Sequence, residues 1–292
     1  MVSSSEAITA KNSTFTADSL NNTLQGAKSK YLDSISLTVS ALQNGGSATT
    51  IASLLGLVNR ATVSVSGTVE MDCSLTDLYA LNQLWLGNTP RTKIGAGDNQ
   101  QNIVSGINFP IWFPSVAAET QFSAYYTAVT NCDNTTISAT ANYRAGVPRN
   151  SALHYTKFTK NTSGVDDSTL NNWDHDFQAI GNISGVLFNS TTIAGGSTLI
   201  DDGTIRQVAI DVDGIDNVLL YEVHETTSLR NNFGGQLNTP LEDSPANLSI
   251  LDNYYWLPIN EMIPRGSNVR IHCMAGVNAE AASDIVIQQI PY

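Results

Sequence analysis

The sequence predicts an all-β protein built as two tandem domains that repeat one plan. Three observations carry this. In residues 60–87, Val63, Val65, Gly67, Val69, Met71 and Cys73 fall on odd positions, while Thr62, Ser64, Ser66, Thr68, Glu70 and Asp72 fall on even ones. That period of two marks half-buried strands, apolar inward and polar outward. A second such stretch, residues 206–223, has an alternating strand (Val208, Ile210, Val212), an Asp-Gly turn and another apolar run. The third observation is a shared offset. Gly214 lies 147 residues after Gly67, and Phe109-Pro110-Ile111 recurs 148 residues later as Leu257-Pro258-Ile259. At that same offset Ala128-Val129-Thr130 meets Gly276-Val277-Asn278, and Ile137 meets Ile285. An offset close to half of 292 residues is the mark of a tandem repeat.

The strands around Gly67 can be joined in three ways. A two-residue turn at Ser66-Gly67 sets Val65 opposite Thr68 and Val63 opposite Glu70, which mixes the faces. A three-residue turn, Ser66-Gly67-Thr68, sets Val65 opposite Val69 and Val63 opposite Met71, giving one shared apolar face. One long strand kinked at the glycine is the third option. The next segment reads as a helix. Ser74 or Thr76 can cap it, Asp77 suits its first turn, Leu78, Leu81 and Trp85 recur at helical spacing, and Gly87 and Pro90 end it.

The remaining elements follow in order. Residues 1–30 are polar and read as a flexible or weakly helical arm, with Lys11, Lys28 and Lys30 against Glu6 and Asp18. Residues 31–147 form the first β domain. Its first strand covers 34–42, and Ile51, Leu54, Leu55 and Val58 make the stripe of a short helix. Residues 93–106 read as a loop. Pro110 and Pro114 confine 109–114 to a sheet edge or strand start, and 121–130 and 136–143 are closing strands. Residues 148–164 read as a linker, and 165–292 as the second domain, with strands over 180–188 and 284–290. Many short strands with Gly and Asn turns and few helices indicate β-sandwiches or jelly rolls.

Composition narrows the function. Charged residues are 14 % of the chain, against roughly 25 % in an average soluble protein. The net charge is −12, of which residues 1–148 carry −2 and residues 149–292 carry −10. So acidic a body does not attract phosphate backbones, so no direct nucleic-acid binding is expected. Cys73, Cys132 and Cys273 are odd in number and widely spaced, which makes neither a disulfide framework nor a zinc site. Cys73 sits on the apolar phase of its strand, as a buried thiol does. The N-terminal residues lack the apolar core of a signal peptide, and no run reaches the length of a membrane span, so synthesis in the cytoplasm is expected.

No motif points to catalysis, a cofactor or a metal. In Asp211-Val212-Asp213-Gly214-Ile215-Asp216 the glycine directly follows the second acid, which breaks the calcium-loop spacing and favours a hairpin turn. Asp174-His175-Asp176 reads as an exposed polar loop rather than a metal ligand set. Gly95-Ala96-Gly97 lacks the third glycine of a dinucleotide site. His154, His175, His224 and His272 stand far apart, and no serine lies in a nucleophile elbow. Asn12, Asn134, Asn161 and Asn247 head glycosylation-type triplets that chance explains in a chain this rich in Asn, Ser and Thr.

The stretch with Leu54-Leu55, Val58-Asn59-Arg60, Val63, Val65, Gly67, Asp77-Leu78-Tyr79 and Asn82 resembles the first barrel of double jelly-roll major capsid proteins. Those proteins build the shells of tailless icosahedral viruses of bacteria and archaea that carry a membrane inside the capsid. The resemblance extends over nearly the whole chain, although the second half lacks a clear counterpart of the 75–84 helix. It implies two tandem eight-stranded jelly rolls with short helices in connecting loops. It also implies a homotrimer of six-sided outline that tiles with neighbouring capsomers in the virion, beside minor capsid and vertex proteins. The N-terminal arm, with Lys11, Lys28 and Lys30, would then face the inner viral membrane, since an anionic surface attracts nearby lysines by roughly 1 kcal/mol each. Two rival readings remain: a carbohydrate-binding or glycan-cleaving double β-sandwich, using Tyr254-Tyr255-Trp256 as a sugar platform, and a spike or vertex protein. Absence of an export signal disfavours the first, and near-equal halves disfavour the second.

Overall fold

A computed structural model describes residues 3–11, 19–24, 30–44, 49–88, 90–95, 97, 99–114, 120–127, 129–146, 150–161, 172–192, 205–221, 254–259, 263–275 and 279–291. The chain divides into two compact units after Tyr155.

The first unit contains β1 (Ser3–Lys11), β2 (Ser19–Leu24), β3 (Lys30–Gln43), α1 (Ile51–Gly56), β4 (Val58–Val65), β5 (Thr68–Cys73), α2 (Leu75–Leu84), β6 (Arg91–Lys93), β7 (Gln101–Pro114), β8 (Thr120–Tyr126) and β9 (Cys132–Ala145). One sheet runs β1-β9-β3-β7-β6, and the other carries β5-β4-β8-β2. The core between them takes one face of each strand. Ile35, Leu37 and Val39 of β3 and Val63 and Met71 of the hairpin are all buried. The outward face of β3 is polar yet internally bonded, with Asn142 Nδ2 donating to Ser34 Oγ and Ser36 Oγ. Uncharged hydroxyl and amide pairs of this kind are why so few charges suffice.

The β4–β5 hairpin combines two of the anticipated registers. Ser66 and Gly67 both have positive φ, 49° and 83°, as a tight two-residue turn of primed type requires. Val65 therefore pairs with Thr68, yet Val63 pairs with Met71, because a bulge lies between Val63 and Ser64. The extra residue is Glu70, and it restores the apolar phase that the tight turn alone would have broken.

Helix α2 starts as expected. Ser74 and Asp77 form a reciprocal capping box, with Asp77 N–H donating to Ser74 Oγ and Ser74 N–H to Asp77 Oδ2. Its Asn82 Oδ1 accepts from the backbone N–H of Asn108 at 3.0 Å. This bond falls on β7 beyond Ser105, where pairing with β6 has ended. Both prolines of β7 lie in that stretch, so β7 is an edge there even though its start lies between two strands.

The second unit contains most of β10 (Ser151–Asn161), then β11 (Asn172–Gln178), β12 (Asn182–Thr192), β13 (Ile205–Val212), β14 (Ile215–Tyr221), β15 (Tyr254–Pro258), β16 (Asn268–Ala275) and β17 (Ala279–Pro291). One row runs β15-β12-β17-β10 and the other β11-β16-β13-β14. Its core includes Val186, Phe188, Val208, Ile210, Tyr255, Leu257, Ile271 and Val286.

The two units repeat strand for strand. A shift of 148 residues carries β10 onto β1, β12 onto β3, β13 onto β4, β14 onto β5, β15 into β7, β16 onto β8 and β17 onto β9. The pairings repeat too: β9-β3-β7 becomes β17-β12-β15, and β5-β4-β8-β2 becomes β14-β13-β16-β11. Single pairs keep the offset, since Val39↔Ile137 recurs as Leu187↔Ile285. The turn recurs as well, with φ of 51° at Asp213 and 80° at Gly214. Each unit is thus an eight-stranded jelly roll, and the first also carries the three-residue β6.

Several sequence expectations change. The segment 1–30 is not a flexible or weakly helical arm throughout, because β1 and β2 pair with β9 and β8. Backbone hydrogen bonds to a sheet edge do not require apolar side chains, so a polar segment can be a strand. The segment 148–164 holds a strand, β10, with Ala152, Leu153 and Tyr155 buried. The supposed loop over 93–106 contains β6's end and the start of β7. Asp174-His175-Asp176 lies within β11 rather than in a loop. The 222–253 stretch, where the second roll would carry a counterpart of α2, lies outside the described residues.

Candidate functional site

Two of the lysines singled out in the sequence, Lys11 and Lys30, sit far apart along one sheet. Lys11 closes β1 opposite Thr136, and Lys30 opens β3 opposite Ala145. Those partners are nine positions apart on β9, or about 30 Å at roughly 3.4 Å per residue. Lys28 lies outside the described residues, two positions before Lys30. Near Lys30, Arg144 Nε holds Asp33 Oδ2 at 2.9 Å. Asp33 is skipped in both ladders of β3, and the ion pair anchors that bulge.

The densest polar cluster lies on the outer face of the β11-β16-β13 sheet. Strand alternation places it there: His175 and Phe177 turn toward the interior, where His175 stacks on Phe158 at 4.0 Å, while Asp174 and Asp176 point outward. Cross-strand register then sets Asp174 beside His272 and sets Asp176 and Asp211 on either side of Arg270. His272 Nδ1 lies 2.8 Å from Asp174 Oδ1, and Nε2 lies 2.8 Å from Asp211 Oδ2. Arg270 donates through Nε and Nη2 to both oxygens of Asp176, at 2.5 and 2.9 Å. Partial burial pulls the His272 pKa down, but hydrogen bonds to Asp174 and Asp211 outweigh it and leave it raised. Its Arg270 bonds hold Asp176 below the ordinary carboxylate value.

A cavity of about 290 Å³ opens beside this cluster, lined by Asp176, Asp211, Asp216, Asn268 and Arg270 among others. Two of its three carboxylates are already engaged. Asp176 is held by Arg270, and Asp211 accepts from Asn217 N–H at 2.7 Å as well as meeting His272. No group of three or more His, Cys, Asp or Glu suited to a metal occurs among the described residues. The two other histidines among the described residues also face carboxylates, His154 Nδ1 at 2.7 Å from Glu70 and His175 Nε2 at 3.1 Å from Asp284. These contacts tie strands together. The alternation of β11 could have revealed this cluster from sequence, but its charges suggested a loop.

The sugar-platform reading fails on burial. Tyr254, Tyr255 and Trp256 are at most 4 % exposed, and Trp256 packs so closely on Gly185 that a Cβ there would lie 2.5 Å from its ring. Aromatics that bind sugar must present a face to solvent, and these are core.

No protein-family model and no curated protein sequence matches the chain. Solved structures do match it in fold over nearly its full length. A chain of Sulfolobus turreted icosahedral virus superposes with a TM-score of 0.66 at 11 % identity, covering 98 % of this chain and 91 % of its own. A chain of the PBCV-1 virus capsid gives 0.62 at 8 % identity, covering 99 % and 94 %. The major capsid protein P2 from bacteriophage PM2 gives 0.56 at 14 % identity, covering 100 % and 98 %. The protein has the double jelly-roll fold that these virion proteins share.

Proposed function

We propose that this protein is a major capsid protein, a structural and non-enzymatic component of a virion. The observation that carries the reading is the strand-for-strand repeat of two rolls, matched over 98 % or more of the chain to solved capsid structures. Three copies supply six similar rolls, so a homotrimer of six-sided outline can tile an icosahedral shell with its neighbours. The chain would be made in the host cytoplasm and meet minor capsid and vertex proteins in the particle. Low charge density favours such packing, because fewer ions must be desolvated at each contact. Solution mass at several concentrations tests the assembly, with a stable trimer expected. A monomer at high concentration, together with absence from purified particles, would overturn the reading.

Contact with an inner membrane belongs to the same proposal. Since Lys11 and Lys30 lie at opposite ends of β9, only one end can face a bilayer. We assign it to the end where Lys30 pairs with Ala145, with Lys28 two residues earlier in the chain, because the stretch 134–165, free of acidic residues, leaves β9 at that end and continues through Arg149, Lys157 and Lys160. Replacing Lys28 and Lys30 with Glu should weaken binding to anionic liposomes at low salt, and Lys11→Glu should not. Equal binding by all forms would refute the assignment.

A further inference from the structure

We infer that β14 of one copy receives the edge of β1 from a second copy, side by side and in parallel. This rests on the self-assembly reading and names the surface it would use. The argument comes from the internal repeat. Within the first unit, the opening of β10 lies parallel to β5, with Tyr155 opposite Met71. That contact is reinforced by His154 Nδ1 to Glu70 Oε2 at 2.7 Å and by burial of Met71 and Tyr155. The 148-residue offset turns β10 into β1 and β5 into β14. Both counterparts end their rows among the described residues, β1 beyond β9 and β14 beyond β13. So the chain carries one made joint and, separately, the two halves of a second joint of the same design.

Side chains on β14 agree. Where β5 reads TVEMDC, β14 reads IDNVLLY, and its Ile215, Val218 and Leu220 are 66 %, 39 % and 39 % exposed. They are three of the six large hydrophobics exposed among the described residues. A strand that ends its row among the described residues and carries exposed apolar side chains invites another strand, and proteins that do not use such an edge blunt it with charge or proline. A second copy of this chain supplies the matching edge in β1. The contact is head-to-tail, since β14 and β1 are different surfaces, and head-to-tail contacts close into rings when the rotation allows. Applying the offset to Tyr155 and Met71 sets Ala7 of one copy opposite Leu219 of the next, and Glu6 opposite Val218.

The test uses the full chain with Glu6→Cys and Val218→Cys together, treated with a short thiol cross-linker. Native Cys73, Cys132 and Cys273 are buried and leave the background low. Covalent dimers and trimers are expected from the double variant and not from either single one. Val218→Lys, checked for intact fold by circular dichroism, should weaken self-association on the order of tenfold or more, the scale of an interface anchor. A trimer that fails to cross-link, or a folded Val218→Lys variant that associates as before, overturns this inference and leaves the capsid reading standing. A native chain that stays monomeric overturns both.

Discussion

The Tyr155 hydroxyl donates to the carbonyl oxygen of Pro110 across 2.7 Å, joining the opening of β10 to β7 on the facing sheet of the first unit. Burial raises the phenol pKa well above its ordinary value, with the Cys73 thiol adding to the effect, so the group stays a neutral donor. Tyr155→Phe keeps the ring packing and removes only this bond, leaving a buried carbonyl without that donor. The expected loss is about 1–2 kcal/mol. It should appear as a lower guanidinium midpoint with no change in secondary structure.

Two glycines should differ in what a methyl group costs. At Gly185 an added Cβ would lie 2.5 Å from the Trp256 ring and 2.7 Å from the Leu257 carbonyl oxygen, so neither neighbour can yield cheaply. Gly185→Ala is expected to destabilise the second roll by about 3 kcal/mol, at the upper end of overpacking costs. At Gly67, φ is +83° and nothing lies within 4 Å of the site of a Cβ. Gly67→Ala meets only backbone strain, about 1–2 kcal/mol. Thermal unfolding of the two variants should rank them in that order.

His272 should make stability depend on pH near neutrality. Both ring nitrogens meet carboxylates, Asp174 from β11 and Asp211 from β13, and only the imidazolium can donate to both. Among the described residues, Arg270, Asp176 and Asp216 are the further charges beside this cluster. Since the folded pKa is raised above its value of about 6.5 in the unfolded chain, the contribution is complete below that value. It fades as pH rises through the folded pKa. His272→Gln should flatten this part of the stability–pH curve, and an NMR titration should find the His272 ring titrating later than a free histidine.

The cysteines should be silent in the native protein. All three are buried, and burial raises the Cys132 and Cys273 pKa values, so little thiolate forms. Maleimide should label none of them in buffer and all three in denaturant. Rapid native labelling would contradict the packing of β5, β9 and β16.

What the sequence revealed follows from where apolar alternation is strong. Gly67 and Gly214 announced both hairpins, Ser74 and Asp77 announced the helix start, and Ile137 and Ile285 announced the closing strands. The residues 3–11 escaped because a strand that adds only backbone bonds to an edge needs no apolar face. Strand β11 escaped because outward aspartates masked the inward pair His175 and Phe177. The bulge at Glu70 was invisible because each register was judged as if it had to hold along the entire hairpin. The outer-face cluster was missed for a related reason: its members come from three strands far apart in sequence, so only pairing brings Asp174, Asp211 and His272 together.

The correspondence of β1 with β10 has a historical meaning. Among the described residues, seven strands of one roll fall on strands of the other at this single offset, and the pairing order repeats, so the two halves carry the same set of strands. A gene half as long could therefore have encoded a self-sufficient ancestor, doubled later by an end-to-end fusion near residue 148. Once joined, the copies were free to diverge, and the second gathered most of the negative charge.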